Sequence, residues 1–414
     1  MTIGERTVPL IGSVEEALGT ARAVAAEIAV GAVDRERNGQ LPEEALGLVA
    51  DSGLLGIIVP AEFGGPDLPL STAVEVLRIL AQADSAVGQL LLAHFVISGV
   101  IRGLGDNDPA PRLYRDILAG AQLGNATVER GTRTSVERLT TISRGADGNW
   151  VLTGKKYYAT GSLGATWIAV AARIVDTQSN PEPAHGATVF VRPSDPGVTL
   201  NLEKWSAFGQ RGTASGEVIL DHVVVDDAFV IDEGPDPDPV TSPPSVFGAY
   251  DQALHAAVDI GIARAALEDG ARFVTTTSRP WFEAKVDTAA EDPHVVRRFG
   301  ELTARLYALE ALLAHGSRLV DAALAEPELT RESAATASLQ VAAAKALAQE
   351  FAVEIASGIF ELTGTSATDG KYALDRHWRN VRVHSLHDPA RWKYVHLGNH
   401  TLNGTLPPRY GLVL

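Results

Sequence analysis

Sulfur is almost missing from this chain of 414 residues: it has no cysteine, and its single methionine is Met1. That absence excludes a disulfide framework, a thiolate zinc site and a thiol nucleophile. Composition alone leaves three readings of it. One is drift in an Ala- and Gly-rich genome, another is a protein made when sulfur is scarce, and the third is a protein that handles peroxides, which attack thioethers. Long apolar runs are lacking as well. The longest, Leu90 to Ile101, is interrupted by His94 and is too short and too polar to span a bilayer. The opening MTIGERTVPLIG has no basic stretch followed by a long apolar core, so we expect no secretory signal and a cytoplasmic protein. Basic charge is scarce too: 35 Lys and Arg stand against 51 Asp and Glu, a formal charge of −16. This argues against a non-specific grip on nucleic acid or an anionic membrane, while leaving room for a local basic pocket for a phosphate. The commonest short motifs (P-loop, G-x-G-x-x-G after a strand, H-E-x-x-H, G-x-S-x-G) are missing.

What is present is globular: 45% of residues are hydrophobic and 21% charged, and the length suits two to four domains or one composite fold. The first 120 or so residues read as helices. Ser13 and Glu16 form a capping-box pattern, Pro42 suits a first helical position, and Ser71 to Gly103 reads as two apolar helices meeting near Asp84 and Ser85. From Leu123 to about Val230 the helical period gives way to short runs rich in Val, Ile, Thr and aromatics: 149–160, 166–175, 187–192 and 216–226, with Asp147-Gly148 as a hairpin signal. A Pro-rich acidic stretch, 232–244, reads as linker. Beyond Val246 the helical period returns, with Leu339, Leu347, Phe351, Ile355, Ile359 and Leu362 on one face of a helix capped near Thr330. The expectation is an α+β fold: an N-terminal helical domain (1–122), an antiparallel β domain (123–233) and a C-terminal helical bundle (234–414).

Polar and aromatic residues that could carry chemistry gather in three places: 124–135, then 153–162 with 204–217, then 375–404. The last holds five of the 11 histidines, namely His377, His384, His387, His396 and His400. Their spacing matches no zinc pattern, and no metal is expected. A histidine beside a carboxylate, as in His387-Asp388, is a usual build for a proton donor at neutral pH. Pro389 would hold that pair in an extended turn.

The order helical–β–helical, with LTGKKYYATG (152–161), FGQRGTASGEVILDHVVV (208–225) and RPWF (279–282), resembles the acyl-CoA dehydrogenase fold from about Pro42 to Pro408. WRNVRVHSLHDPARWK (378–393), followed by NHTLNG (399–404), is more specific. It resembles the flavin monooxygenases on that fold: dibenzothiophene monooxygenase and the sulfur-acquisition oxidoreductases. Two departures point away from dehydrogenation. Asp388 falls where dehydrogenases place the Glu that abstracts a proton beside a thioester. The segment that would hold the adenine half of FAD reads ELTGTSATDG (361–370), with Glu361 for a Gln and Thr365 for a Gly.

The resemblance implies a two-component monooxygenase, and so an oxidoreductase. Reduced FMN from a separate NAD(P)H-dependent flavin reductase would meet dioxygen, form a flavin hydroperoxide and oxidise a small organosulfur compound. It implies His387 as proton donor, with Asn125, Asp388 and His94 as further catalytic candidates. Thr127, Tyr158, Thr160, Trp205, Arg211 and Ser215 would meet the flavin, with His384. Arg279 would reach the cofactor phosphate of a neighbouring subunit in a homo-oligomer, expected as a tetramer, and Ser366 and Thr368 would complete that site. Gln89 and Ala93 stand where dibenzothiophene monooxygenase has a His and a Tyr, which favours a smaller substrate. The open alternatives are an FAD-dependent acyl-CoA dehydrogenase and a monooxygenase that hydroxylates nitrogen or carbon. Outside catalysis, Tyr158 and Trp205 have a reading as core aromatics, Arg279 as a surface ion pair and Asn125 as a turn cap.

Overall fold

The computed structural model describes residues 8–105, 107–134, 137–175, 185–234, 238, 241–409 and 411. Parts of the 232–244 stretch, Ser135 and the first seven residues lie outside them. Six helices come first: α1 (Val14–Ala29), α2 (Ala32–Asn38), α3 (Glu43–Asp51), α4 (Leu70–Ala83), α5 (Ser85–Arg102) and α6 (Ala110–Leu118). Ser13 caps α1 by accepting from the Glu16 N–H, while the Glu16 carboxylate answers to Gly12 rather than to Ser13, so the box is half closed. Pro42 is the N-cap of α3, one residue before the expected place. Between α4 and α5 the chain breaks at Asp84, whose carboxylate caps α5 through the Ala86 and Val87 N–H groups. Helix α5 is long and apolar enough to cross a bilayer, but 67% of it is buried inside the protein.

Among the described residues eight strands follow: β1 (Leu123–Ala126), β2 (Thr141–Arg144), β3 (Trp150–Lys156), β4 (Trp167–Ile174), β5 (Gly186–Val191), β6 (Val198–Asn201), β7 (Glu217–Val225) and β8 (Val230–Gly234). They form one sheet in the order β6-β7-β3-β2-β4-β5-β8, with β1 also on β4. The β2–β3 hairpin turns at Asp147-Gly148, where Gly148 takes the left-handed φ of 84° that such a turn requires. The expected antiparallel pattern holds for most of the sheet and fails at β4, which pairs parallel with both β1 and β2. Buried Ile142, Leu152, Val170, Val189, Val218 and Val223 build the sheet's own core.

Five helices close the chain: α7 (Phe247–Thr276), α8 (Pro293–Leu324), α9 (Arg331–Thr363), α10 (Asp375–His384) and α11 (Ala390–Asn403). Thr330 caps α9 as its sequence predicts. Alanines along α7 and α9 keep these helices thin, so they pack closely. At Gly261 even a β-carbon would lie 2.5 Å from the Arg78 carbonyl of α4. One apolar core runs from the N-terminal helices into this bundle.

Candidate active site

Helix α7 carries Asp251, His255 and Asp259 at four-residue spacing, and hence on one face. His255 and Asp259 are buried and Asp251 nearly so, on the Ala-, Val- and Ile-rich half of the helix, where charge must find partners. Asp259 is fully buried; its Oδ2 accepts from Lys345 of α9 at 2.7 Å and its Oδ1 lies 2.7 Å from His384 Nδ1. The carboxylate makes Nδ1 the protonated nitrogen of His384. Its Nε2 is then an acceptor, 3.2 Å from His255 Nδ1. The His255 ring stacks in turn on His387, with centroids 3.8 Å apart and planes at 27°. The three imidazoles therefore form a column from the core to the surface, and His387, with 48% of its side chain exposed, is its outer member.

The turn bearing His387 is fastened from below. Gln349 of α9 donates to the carbonyls of Ser385 (2.9 Å) and Asp388 (2.7 Å). Asp388 is buried, ion-paired to Lys393 of α11, and faces His387 Nδ1 at 3.4 Å. Burial opposes its ionisation, but the His387 hydrogen bond and the charges of Lys345 and Lys393 prevail and hold it well below the usual carboxylate range. Burial, with the charges of His387, His384, Lys345 and Lys393, pulls His255 well below an ordinary histidine. Burial pushes Asp251 up to about 6, against the attraction of His387 and a hydrogen bond from Gln252.

A second set of groups converges from the β domain. The Asn125 N–H at the end of β1 donates to the Thr160 carbonyl at 3.0 Å. The Thr160 hydroxyl lies 2.9 Å from Ser215 Oγ, which is 2.9 Å from Thr213 Oγ1. Trp205 donates its indole N–H to the Gln210 carbonyl, and Tyr158 meets the Trp205 ring edge-on at 6.0 Å. Tyr158 is 49% exposed and sits at a left-handed φ of 56°, so it is no core aromatic. Thr127 is exposed just beyond β1, and its carbonyl accepts from Lys156.

Helices α5 and α10 join the two sets. Gly161 packs so tightly on α5 that a β-carbon would lie 2.8 Å from the Ala93 methyl. Further along α5, the Phe95 carbonyl accepts from the hydroxyl of Tyr250, the neighbour of Asp251. On the other side, the Gln210 N–H donates to Asn380 of α10 at 2.6 Å, and Phe208 stacks on Trp378.

Several expected roles change. Both His94 ring nitrogens are taken by main chain: Nε2 bonds the Leu55 carbonyl at 2.9 Å and Nδ1 accepts from the Leu123 N–H at 3.2 Å. His94 therefore has nothing left to offer a substrate and ties α5 to β1 instead. His384 likewise has both nitrogens engaged and is buried behind His255. Asp388 is buried and paired with Lys393, so its carboxylate is committed within the protein. The Arg211 guanidinium lies against Gly39 at the end of α2. Asp251, His255, Asp259, Lys345 and Gln349 also belong to the cluster around His387, and the sequence alone does not single them out. Their signal was present as polar residues four apart on Ala-rich helices, but its meaning depends on the partner helix.

Arg279, Ser366 and Thr368 are exposed at the far end of the bundle. There Ser278 donates to the Thr363 carbonyl, and Phe273, Ala367 and Leu374 pack together. From His255 to the end of α7 is about 30 Å at 1.5 Å per residue. One chain therefore separates this group from His387 by more than a single small ligand would bridge. Among the described residues no three His, Asp or Glu side chains converge as a metal site.

Comparison with known proteins agrees with this architecture. The chain matches the acyl-CoA dehydrogenase N-terminal domain over residues 15–121, the middle domain over 125–223 and the C-terminal domain over 253–392. It is 32% identical to dibenzothiophene monooxygenase of Rhodococcus qingshengii over 407 residues, 94% of each chain. It is 30% identical to the probable FMNH2-dependent monooxygenase SfnC of Pseudomonas putida, covering 94% of this chain and 96% of that one. Among solved structures, FMN-bound TdsC from a Paenibacillus species superposes with a TM-score of 0.88 at 28% identity, over 96% of this chain and all of that one. Methanesulfinate monooxygenase MsuC of Pseudomonas fluorescens gives 0.85 at 28% identity, over 96% and 99%. The chain belongs to the acyl-CoA dehydrogenase-fold flavin monooxygenases, the group that contains dibenzothiophene monooxygenase.

Proposed function

We propose that the chain is the oxygenase of a two-component system, taking reduced FMN from an NAD(P)H-dependent reductase and using dioxygen to oxidise a small organosulfur compound in sulfur acquisition. One observation carries this reading. The carboxylate at the dehydrogenase-base position, Asp388, is buried and neutralised by Lys393, and the group presented to solvent in its place is the imidazole of His387. A locked carboxylate abstracts no proton from an acyl thioester; a half-exposed imidazole can donate one.

The residues present fit a flavin. The Thr160–Ser215–Thr213 hydroxyls and Asn125 offer donors and acceptors to a heteroaromatic edge, and Tyr158 and Trp205 offer aromatic surface beside them. The adenine half of FAD is less well served, because Glu361 is engaged with Arg298. When bound, the reduced flavin supplies the oxygen-activating chemistry. The protein's share is to hold Tyr158 and Trp205 along the ring, to orient its edge with Asn125, Thr127, Thr160 and Ser215, and to exclude water with α5 and α7. His387, its Nδ1 turned toward Asp388, keeps Nε2 for donation to the developing negative charge. Arg279, with Ser366 and Thr368, holds the phosphate of the flavin bound to a neighbouring subunit in a cytoplasmic homotetramer.

Gln89 and Ala93 on α5 favour a compact polar substrate. The buried Gln89 Oε1 has no hydrogen-bond partner among the described residues, and a substrate donor would satisfy it. The test is oxygen uptake and product formation on a panel of alkyl sulfinates, alkyl sulfones and dibenzothiophene, with and without a flavin reductase. Reductase-dependent oxidation of the small compounds is expected. Anaerobic reduction of copurified FAD by an acyl-CoA would overturn the reading.

A further inference from the structure

The cluster behind His387 contains more acid than base. Asp251 and Asp259 from α7 and Asp388 from the turn after α10 share it with Lys345 of α9 and Lys393 of α11. Among the described residues, three carboxylates against two ammonium groups leave one negative charge over, which a buried site tolerates poorly. One further proton removes the surplus, and four groups could take it. His384 is committed, with its Nδ1–H on Asp259 and its Nε2 accepting from His255. That bond fixes the proton of His255 on Nδ1 and turns its bare Nε2 toward Asp251 Oδ1, 3.8 Å away. Two seats remain: His387, stacked on the outer face of His255, and the Asp251 carboxyl. Among the described residues, the Tyr250 hydroxyl also feels Asp251, but burial pushes it well above an ordinary tyrosine and it keeps its own proton; at His396 of α11, burial and the Lys393 charge both oppose protonation.

We propose that this cluster keeps a single exchangeable proton for the reaction, seated on His387 at the surface or on Asp251 behind it, with His255 as the positioning residue between the two. The inference rests on reading His387 as the donor. The elevated pKa of Asp251, about 6, makes the second seat usable near neutral pH. When His387 gives up its proton the negative surplus returns to the cluster, and that surplus draws a proton back from solvent through the exposed ring. Neutral His255 contributes shape and a fixed tautomer: it stacks on His387 without competing for the proton.

The proton on His387 can be read without flavin or turnover. Reaction of the flavin-free protein with diethyl pyrocarbonate across pH, quantified on the His387 peptide by mass spectrometry, follows the loss of that proton. Asp251→Asn removes the surplus negative charge, and the midpoint is expected to fall by about one pH unit. Lys393→Gln adds to the surplus, and the midpoint is expected to rise by about as much. Unchanged midpoints, or shifts in the same direction, would overturn the proposal; if Lys393→Gln does not fold, Asp251→Asn alone decides. In turnover, His255→Leu should lower product formed per reduced flavin at unchanged KM, and His255→Phe, which keeps a stacked ring, should restore part of it. Failure of the monooxygenase reading would instead appear as no binding of reduced FMN, with the His387 titration unaffected.

Discussion

Both ring nitrogens of His94 are engaged by main chain, and burial pulls its pKa to about 4 in spite of the Leu55 hydrogen bond. The unfolded chain has an ordinary histidine near 6.5, so between these values the unfolded state binds the extra proton. Stability conferred by neutral His94 is therefore complete above about pH 6.5 and lost as pH falls toward 4, by about 3 kcal/mol. His94→Gln can make both bonds without titrating, and its unfolding free energy should depend less on pH across that window; identical slopes would contradict the assignment. The same residue shows where sequence reading stops. A histidine in an apolar helix is visible as an anomaly, but only the fold reveals that its partners are the Leu55 carbonyl and the Leu123 amide. His387 beside Asp388 was legible because both lie in one short segment. Their division of labour, one exposed and one locked to Lys393, depends on α11 packing against the turn.

Elements were easier to read than contacts. The helical, β-rich and helical stretches follow from a change of hydrophobic period that needs no partner to be seen. The parallel pairing of β1 and β2 with β4 was hidden, since periodicity does not tell which strand lies alongside. Likewise the row Asp251, His255, Asp259 is a plain i, i+4, i+8 pattern, whose meaning comes from α9 and α10. The 208–213 loop is the element that binds the β domain to α10. A β-carbon at Gly209 would run into the Arg379 carbonyl and the Asn380 amide. Gly209→Ala should therefore push this loop away from α10, break the Gln210–Asn380 hydrogen bond and cost about 2 kcal/mol or more of thermal stability. It should also weaken reduced-flavin binding through displaced Trp205. A variant as stable and as tightly binding as the parent would show that the loop does not position the site.

Across the whole molecule, the proposed function divides the site between subunits, because its two groups of residues are spaced along α7. His387 and Arg279 are both exposed, yet lie at opposite ends of a 30-residue helix. If each flavin uses His387 of one subunit and Arg279 of its neighbour, Arg279→Ala should weaken reduced-FMN binding about 10- to 100-fold, the worth of a charge-assisted contact. His387→Ala should leave binding within a few-fold and remove turnover. Mixed oligomers of the two variants should recover part of the activity, because some sites then combine an intact His387 with an intact Arg279. Mixed assemblies that form without recovering activity would refute the shared site. At this scale the missing sulfur also becomes intelligible: a chain with no cysteine and one methionine suits an enzyme that gathers sulfur and handles activated oxygen.

In this chain the acyl-CoA dehydrogenase fold serves reduced FMN and oxygen rather than FAD and an acyl thioester. The most direct measurement is an anaerobic titration of the purified protein with reduced FMN and, separately, reduced FAD, followed by admission of oxygen in the presence of an alkyl sulfinate. Tighter binding of reduced FMN and oxygen transfer to the sulfur compound are expected. Preference for FAD, with no oxygen transfer and with flavin reduction by an acyl-CoA, would contradict it.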